Sequence, residues 1–274
     1  MFEISITTVL LRIIIGTTVG FTIGLTGIGG GVLILPALSL ILGMPASTCV
    51  GTATLYAALT QLMSSYRHHK LKNINYPAAL VVLAGGIPAA AATAMFLNRH
   101  AESLKDNAQA LAKYESNREL FIGAVIAVAA MMLIADLFNK RRRRKVKPPA
   151  EFKKVTLDKA PGAIFTGASV GFLIASTSVG GGVITIPLLI TLFKLPAARA
   201  VGSASLITLL LTATTSIVYG KGGMVDIATA IIMAAGSIAG VYIGSKLTLK
   251  IPDKMLQTII IAIIIVAAAA MMIR

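Results

Sequence analysis

The chain has 274 residues, of which 56% are hydrophobic and 13% are charged, and its mean hydropathy is +0.86. This composition is far too apolar for a soluble domain and indicates an all-α polytopic membrane protein. The net charge of +15 does not indicate a nucleic-acid partner, because much of it is local: residues 140–160 contain ten Lys/Arg and two Asp/Glu. A basic loop beside membrane helices is usually a topology signal.

Apolar segments and charged stretches alternate along the chain. A charged stretch at 99–118 is expected to be a solvated loop or a surface helix, and a basic linker covers 139–160. The predicted helical segments are 5–26, 32–43, 48–66, 76–97 and 119–138 before the linker, and 162–177, 183–193, 199–219, 227–248 and 255–273 after it.

The second half repeats the first at an offset of 151 residues. The stretch from Gly20 to Pro36 returns as Gly171 to Pro187, and the match runs without gaps from about residue 20 to 93. Long-period self-similarity of this kind indicates a duplicated architecture. The sequence therefore predicts a first transmembrane repeat at 1–138, a basic cytoplasmic linker at 139–160 and a second repeat at 161–274.

Each repeat has about five hydrophobic segments, and two odd-numbered repeats joined in sequence must be inverted relative to each other. The positive-inside rule places the linker 139–160 in the cytoplasm. The basic loop Arg67–Lys72 then lies on the same side and the near-neutral loop 99–118 on the opposite side. The predicted fold is two inverted repeats whose glycine-broken helix pairs meet near the membrane midplane.

Three successive glycines interrupt the first apolar run of each repeat, at Gly29–Gly31 and Gly180–Gly182. Glycine is unfavourable within a helix and allows close approach to the backbone. The helix that follows presents free N–H groups, so two such ends near the midplane predict an anion site. The alternative is that the glycines only let the two helical legs pack tightly. The predicted substrate-binding residues combine these glycines with nearby hydroxyls: Thr26, Gly29, Gly30, Gly31, Thr52, Ser176, Thr177, Ser178, Gly180, Gly181, Gly182 and Ser203.

Other polar and small residues have two interpretations each. The hydroxyls of Thr52 and Ser203, at the start of the third helix of each half, either line the site or bond across helices. Gly236, Gly240 and Gly244 form two overlapping G-x-x-x-G repeats, which predict close helix packing within the chain or in a dimer. Arg12 lies within the first apolar segment, where it is a functional candidate or extends its charge to the outer surface.

No catalytic or metal-ligand constellation is present in the sequence. We therefore expect no enzymatic activity, no cofactor and no metal. The expected partners are a small anionic substrate and the lipid bilayer, with no nucleic acid, and the chain is expected to be a monomer or a homodimer.

The paired glycine runs with their downstream prolines, and the Val-Gly-Thr-Ala and Val-Gly-Ser-Ala pieces at 50–53 and 201–204, resemble the sulfite exporter TauE/SafE family. This family is also called the four-toluene-sulfonate uptake permease family, and the resemblance covers nearly the whole chain. It implies a secondary transporter in the bacterial cytoplasmic membrane that moves sulfite or an organosulfonate such as sulfoacetate. The expected direction is export, and the expected mechanism is alternating access. A carrier of another small organic or inorganic anion and an anion channel remain as alternatives.

Overall fold

A computed structural model describes residues 6–26, 31–140, 160–179, 182 and 184–248, and all regular secondary structure within these ranges is helical. The last predicted helix, 255–273, and most of the basic linker lie outside the described residues. The helices are α1 (Ile6–Thr26), α2 (Gly31–Pro36), α3 (Ala46–Lys70), α4 (Tyr76–Ser103), α5 (Ala108–Lys140), α6 (Ala160–Thr177), α7 (Thr185–Leu192), α8 (Ala197–Lys221) and α9 (Ile227–Thr248).

Several of these helices have the length and composition needed to cross a bilayer. Ile6–Ile23, Tyr76–Ser103 and Ala198–Lys221 are each at least 18 residues long and strongly apolar. Pro161–Thr177 and Ile227–Ile243 are shorter apolar helices. A multi-pass membrane protein is consistent with this set, as the composition predicts.

The charged stretch 99–118 is largely helical, which is one of its two expected forms. Helix α4 continues to Ser103, and a short turn leads to Asn107, whose side-chain Oδ1 accepts a hydrogen bond from the Ala110 N–H at 3.0 Å. This is an N-cap, and it starts α5 at Ala108, 11 residues before the predicted start of the fifth helix at residue 119. The second half of this stretch is therefore the first three turns of a long helix.

Glycines set the closest helix contacts, and the same contact occurs twice in the molecule. On α1, Gly16 lies against the backbone of Met233 and Gly20 against Ser237, so α1 and α9 run in the same direction where they cross. The equivalent contacts of α6, 151 residues later, place Gly167 against Val82 and Gly171 against Gly86 of α4. Each of these helix pairs joins the first half of the sequence to the second.

Helices α3 and α8 pack against each other in opposite directions. Gly51, near the start of α3, lies against Met224, just beyond the end of α8. Gly202, near the start of α8, lies against Asn73, just beyond the end of α3. A hydrogen bond of 3.0 Å between the hydroxyls of Ser64 and Ser205 adds a contact where the end of α3 meets the start of α8.

The core lies between these three helix pairs. It is built from aliphatic side chains and alanines together with two fully buried tyrosines, Tyr56 on α3 and Tyr219 at the end of α8. Glycines lie at the α1–α9 and α4–α6 contacts and let the backbones approach closely, as in other membrane helix pairs.

Candidate functional site

The predicted site in the second half is a buried turn at the end of α6. Ser176, Thr177 and Ser178 are all at least 95% buried. The helix ends at Thr177, and helix α7 does not begin until Thr185. Gly182 is buried in the intervening turn, whereas Gly180 and Gly181 lie outside the described residues.

The side chain of Thr177 is used to shape this turn. Its Oγ1 donates a hydrogen bond to the Leu173 carbonyl at 2.7 Å and accepts one from the Val179 N–H at 3.2 Å. The hydroxyl therefore satisfies a backbone N–H that has left the helix ladder. Thr177 has a structural role at the predicted site, and its availability to a ligand stays a prediction.

Ser178 is the most distinctive residue of the turn. Its φ of +54° places it in the left-handed region, which is uncommon for a residue with a β-carbon. Its N–H still bonds to the Ile174 carbonyl at 2.7 Å, so it closes the end of α6. Its buried Oγ has no hydrogen-bond partner among the described residues. A buried hydroxyl without a partner is costly, so a bound group that accepted its hydrogen bond would stabilise this turn.

The first-half site is described only at its edges. Thr26 is the last residue of α1 and Gly31 the first of α2, while Gly29 and Gly30 lie outside the described residues. The proximity of the two glycine runs therefore stays a prediction. Helix α2 continues into a short π-helical stretch, Ala37–Ile41, instead of the regular helix expected to residue 43.

Thr52 and Ser203 are fully buried, and each of their hydroxyls bonds to the other half of the chain. Thr52 Oγ1 accepts the Asp226 N–H at 3.0 Å, and Ser203 Oγ accepts the Asn75 N–H at 2.8 Å. Asp226 and Asn75 in turn accept N–H bonds at the starts of α9 and α4. These contacts match the cross-helix interpretation of the two hydroxyls, and a role in lining the anion site stays a prediction.

Sequence reasoning missed a buried arginine near this turn. Arg118 of α5 is 6% exposed, and its Nη2 donates to the Tyr219 hydroxyl at 2.7 Å. The Tyr219 hydroxyl donates in turn to the carbonyl of Ala175, also at 2.7 Å. One hydroxyl thus connects a guanidinium to the residue preceding Ser176. No local motif marks Arg118, which lies in the mixed-charge stretch that was expected to be solvated.

The carboxylates near Arg118 bond elsewhere. Glu115 accepts hydrogen bonds from the Ser47 N–H at 2.9 Å and from the Ser47 hydroxyl, at the start of α3. Glu119 accepts a bond from the hydroxyl of Ser39 in the π-helical stretch. Through these two glutamates, α5 contacts the connection between α2 and α3. Burial raises the pKa of the neighbouring Tyr114 hydroxyl, which stays neutral at physiological pH.

Arg12 does not extend to the surface, contrary to one interpretation of its sequence position. The residue is 5% exposed, and its Nη2 lies 3.8 Å from Asp226 Oδ2. The Asp226 carboxylate also accepts bonds from the N–H and hydroxyl of Thr229. Arg12 therefore faces the interior because a partly buried carboxylate of α9's cap compensates its charge.

Two further features bear on chemistry. No group of three His, Cys, Asp or Glu side chains among the described residues is arranged to hold a metal ion. In the last turn of α3, burial and the charge of the neighbouring Arg67 lower the pKa of the His68 side chain. The polar groups described at the end of α6 are the hydroxyls of Ser176, Thr177 and Ser178, and the Arg118 guanidinium is connected to this helix end through Tyr219.

The model of the sulfite exporter TauE/SafE family matches residues 12–271. The chain belongs to this family. It is 31% identical over 262 residues to "Probable membrane transporter protein YjnA" of Bacillus subtilis, covering 93% of this chain and 96% of that protein. It is 30% identical over 269 residues to "Probable membrane transporter protein MJ0441" of Methanocaldococcus jannaschii, covering 93% and 91%. No solved structure gives a significant match.

Membership of the TauE/SafE family confirms the resemblance found in the sequence. The family and the names of these relatives indicate a membrane transporter, and the apolar helices agree with a multi-pass membrane protein.

Proposed function

We propose that this protein is a secondary transporter that moves a small sulfur oxyanion, sulfite or an organosulfonate such as sulfoacetate, out across the bacterial cytoplasmic membrane. The observation that carries the substrate class is the match of residues 12–271 to a family described as sulfite exporters.

The turn after α6 supports an oxyanion as the transported species. It offers the unpartnered Ser178 hydroxyl, the buried residue Ser176 and a backbone that leaves the helix at Thr177. Non-helical backbone at membrane depth is tolerated where it lines a cavity or is buried in protein. Discontinuous helices at matching positions of two repeats are typical of substrate sites in secondary transporters.

We further propose that the two halves form inverted repeats that alternate access to this site. Two observations support the arrangement. The close contacts of α1 with α9 recur, 151 residues apart, as those of α6 with α4, and the paired helices α3 and α8 run in opposite directions. Rocking one repeat against the other would expose a site between them to each side in turn.

A carrier of a different small anion and an anion channel are the alternatives, and one assay separates all three. Purified protein in liposomes preloaded with sulfite, sulfoacetate or a dicarboxylate should take up labelled substrate by counterflow. We expect saturable counterflow with the sulfur anions and little with the dicarboxylate. Counterflow with the dicarboxylate alone would assign the carrier another substrate. Anion flux that follows the voltage, does not saturate and shows no counterflow would identify a channel.

A further inference from the structure

We propose that Arg118 and the Ser178 turn form one anion subsite, in which the guanidinium supplies the positive charge for a sulfite or sulfonate head group. The inference rests on the proposed function and adds to it a charged residue from α5, a helix that carries none of the glycine motif. It begins from a buried cation, Arg118, that forms no ion pair with any described carboxylate.

The guanidinium of Arg118 is largely unsatisfied. The group carries five N–H donors and remains charged at all physiological pH values. Tyr219 accepts a bond from Nη2, and the guanidinium carbon lies 5.4 Å from the centre of the Tyr219 ring. The buried Nε and Nη1 atoms have no hydrogen-bond partner among the described residues. The side chain of Tyr114 also lies beside this guanidinium, and no described carboxylate accepts a hydrogen bond from Nε or Nη1.

No described carboxylate pairs with this charge. The ion pairs within the described part of the chain join Arg12 to Asp226 and Lys105 to Glu102. Glu115, one turn before Arg118, has both carboxylate oxygens occupied by Ser47. Glu119 accepts its bond from Ser39. Burying an arginine without a counter-ion is strongly unfavourable, so the position is best explained by an anion that arrives from outside the chain.

The second unsatisfied group lies at the same helix end. Arg118 is linked through the Tyr219 hydroxyl to the Ala175 carbonyl, three residues before Ser178. The Ser178 Oγ is buried and, like the Nε and Nη1 of Arg118, has no hydrogen-bond partner among the described residues. A guanidinium and a hydroxyl are complementary to an oxyanion head group, whose oxygens accept several hydrogen bonds at once. Tyr219 acts as a positioning residue, because it orients the guanidinium relative to the turn.

The test measures binding and stability together on the full chain in lipid nanodiscs. Sulfite, sulfoacetate and a dicarboxylate are titrated while the thermal unfolding midpoint and the apparent Kd are recorded. We expect Arg118→Met and Ser178→Ala to weaken sulfite or sulfoacetate binding roughly 10- to 100-fold, the usual effect of losing a hydrogen bond to a charged group. Arg99→Met is the matched control, since it removes an exposed arginine near the end of α4 and should leave the Kd unchanged.

The anion-free protein gives the sharpest comparison. If the role of Arg118 is to bind an anion, the Arg118→Met substitution removes an unpaired charge from the anion-free protein. The variant should then unfold at the same temperature as the wild type or at a higher one. If Arg118 is only a structural contact to Tyr219, the variant should unfold at a lower temperature, yet bind the anion as tightly as the wild type. The latter combination overturns the proposal.

Further variants keep the result interpretable if Arg118→Met does not fold. Arg118→Lys keeps the charge without the guanidinium geometry and should bind about tenfold more weakly. Wild-type affinity in both Arg118→Lys and Ser178→Ala would overturn the subsite while leaving sulfur-anion transport standing. If only the dicarboxylate binds, and the Arg118 variants weaken that binding, the result would support the subsite and contradict the proposed substrate. If no anion on the panel stabilises the wild-type protein, the subsite proposal fails.

Discussion

Two buried arginines in this protein illustrate how the environment of a residue decides its role. Arg12 lies 3.8 Å from Asp226, which is itself held by Thr229, so its charge is compensated within the fold. Arg118 is equally buried, but it bonds to a neutral phenol and forms no ion pair with a described carboxylate. The first residue is therefore a structural contact between α1 and α9, and the second is a ligand candidate.

This contrast predicts opposite effects for the same substitution. Arg12→Met should lower the free energy of unfolding by about 2 kcal/mol, below the 3–5 kcal/mol of a fully buried broken pair because Asp226 keeps some solvent access. Thermal unfolding of the purified protein would measure it. The double variant Arg12→Met/Asp226→Asn should recover part of the loss. An Arg12→Met protein as stable as the wild type would show that the ion pair contributes nothing.

At the scale of helices, small residues decide how the elements pair. Gly236 and Gly240 of α9 lie against the backbone of α1, at Ile13 and Thr17. The packing interpretation of the G-x-x-x-G repeats is thus confirmed for these two glycines, and their partner is a helix of the same chain. Any β-carbon at Gly240 would overlap backbone atoms of Thr17 and Phe21, so neither helix can adjust by moving a side chain.

Gly240→Leu should consequently reduce the yield of folded protein sharply and lower its thermal stability. Gly162→Ala is the matched control, since a β-carbon there meets no atom within 4 Å. It should be neutral or stabilise the first turn of α6 by up to about 1 kcal/mol, the difference in helix propensity between Gly and Ala. Size-exclusion profiles and thermal unfolding in detergent report both effects. Equal yields of the two variants would argue against the close α1–α9 contact.

At the scale of the whole molecule, the hydrogen bonds made by Ser47, Thr52, Arg118 and Ser203 lie at two ends of the packed helices. One end brings together the start of α3, the α5 residues Glu115 and Arg118, and the loop that contains Asp226. The other end brings together the loop after α3 and the start of α8, through Asn75 and Ser203. The predicted topology places the first end outside the cell and the second in the cytoplasm, beside the basic linker.

Cysteine labelling tests that topology in intact cells. The natural Cys49 is buried and can be replaced by Ala to give a background without cysteine. Single cysteines at the exposed positions Glu102 and Lys105 should react with a membrane-impermeant reagent added outside, whereas one at Lys145 of the linker should react only after permeabilisation. Reaction of both regions from the same side would contradict the inverted topology.

The sequence by itself determined the class and family of this protein. A bilayer-length apolar run satisfies its backbone hydrogen bonds in lipid by forming a helix, so helix positions follow from the apolar pattern. The predicted segment 227–248, for example, begins at the first residue of α9. The glycine runs and their repeat at an offset of 151 residues identified the TauE/SafE family. They also pointed to Ser178, whose buried, unpartnered hydroxyl the structure then described.

Only the tertiary structure decided which polar groups are compensated. Whether Arg12, Arg118, Thr52 or Ser203 has a partner depends on residues more than 100 positions away, and no local pattern encodes such a pairing. The charged stretch 99–118 was expected to be solvated because charged side chains usually face water. In the structure, Asn107 caps the start of α5 within this stretch, and the Arg118 side chain of this helix is buried. Burial is a property of the packed helices, and it is the burial of Arg118 that makes this residue a candidate ligand for an anion.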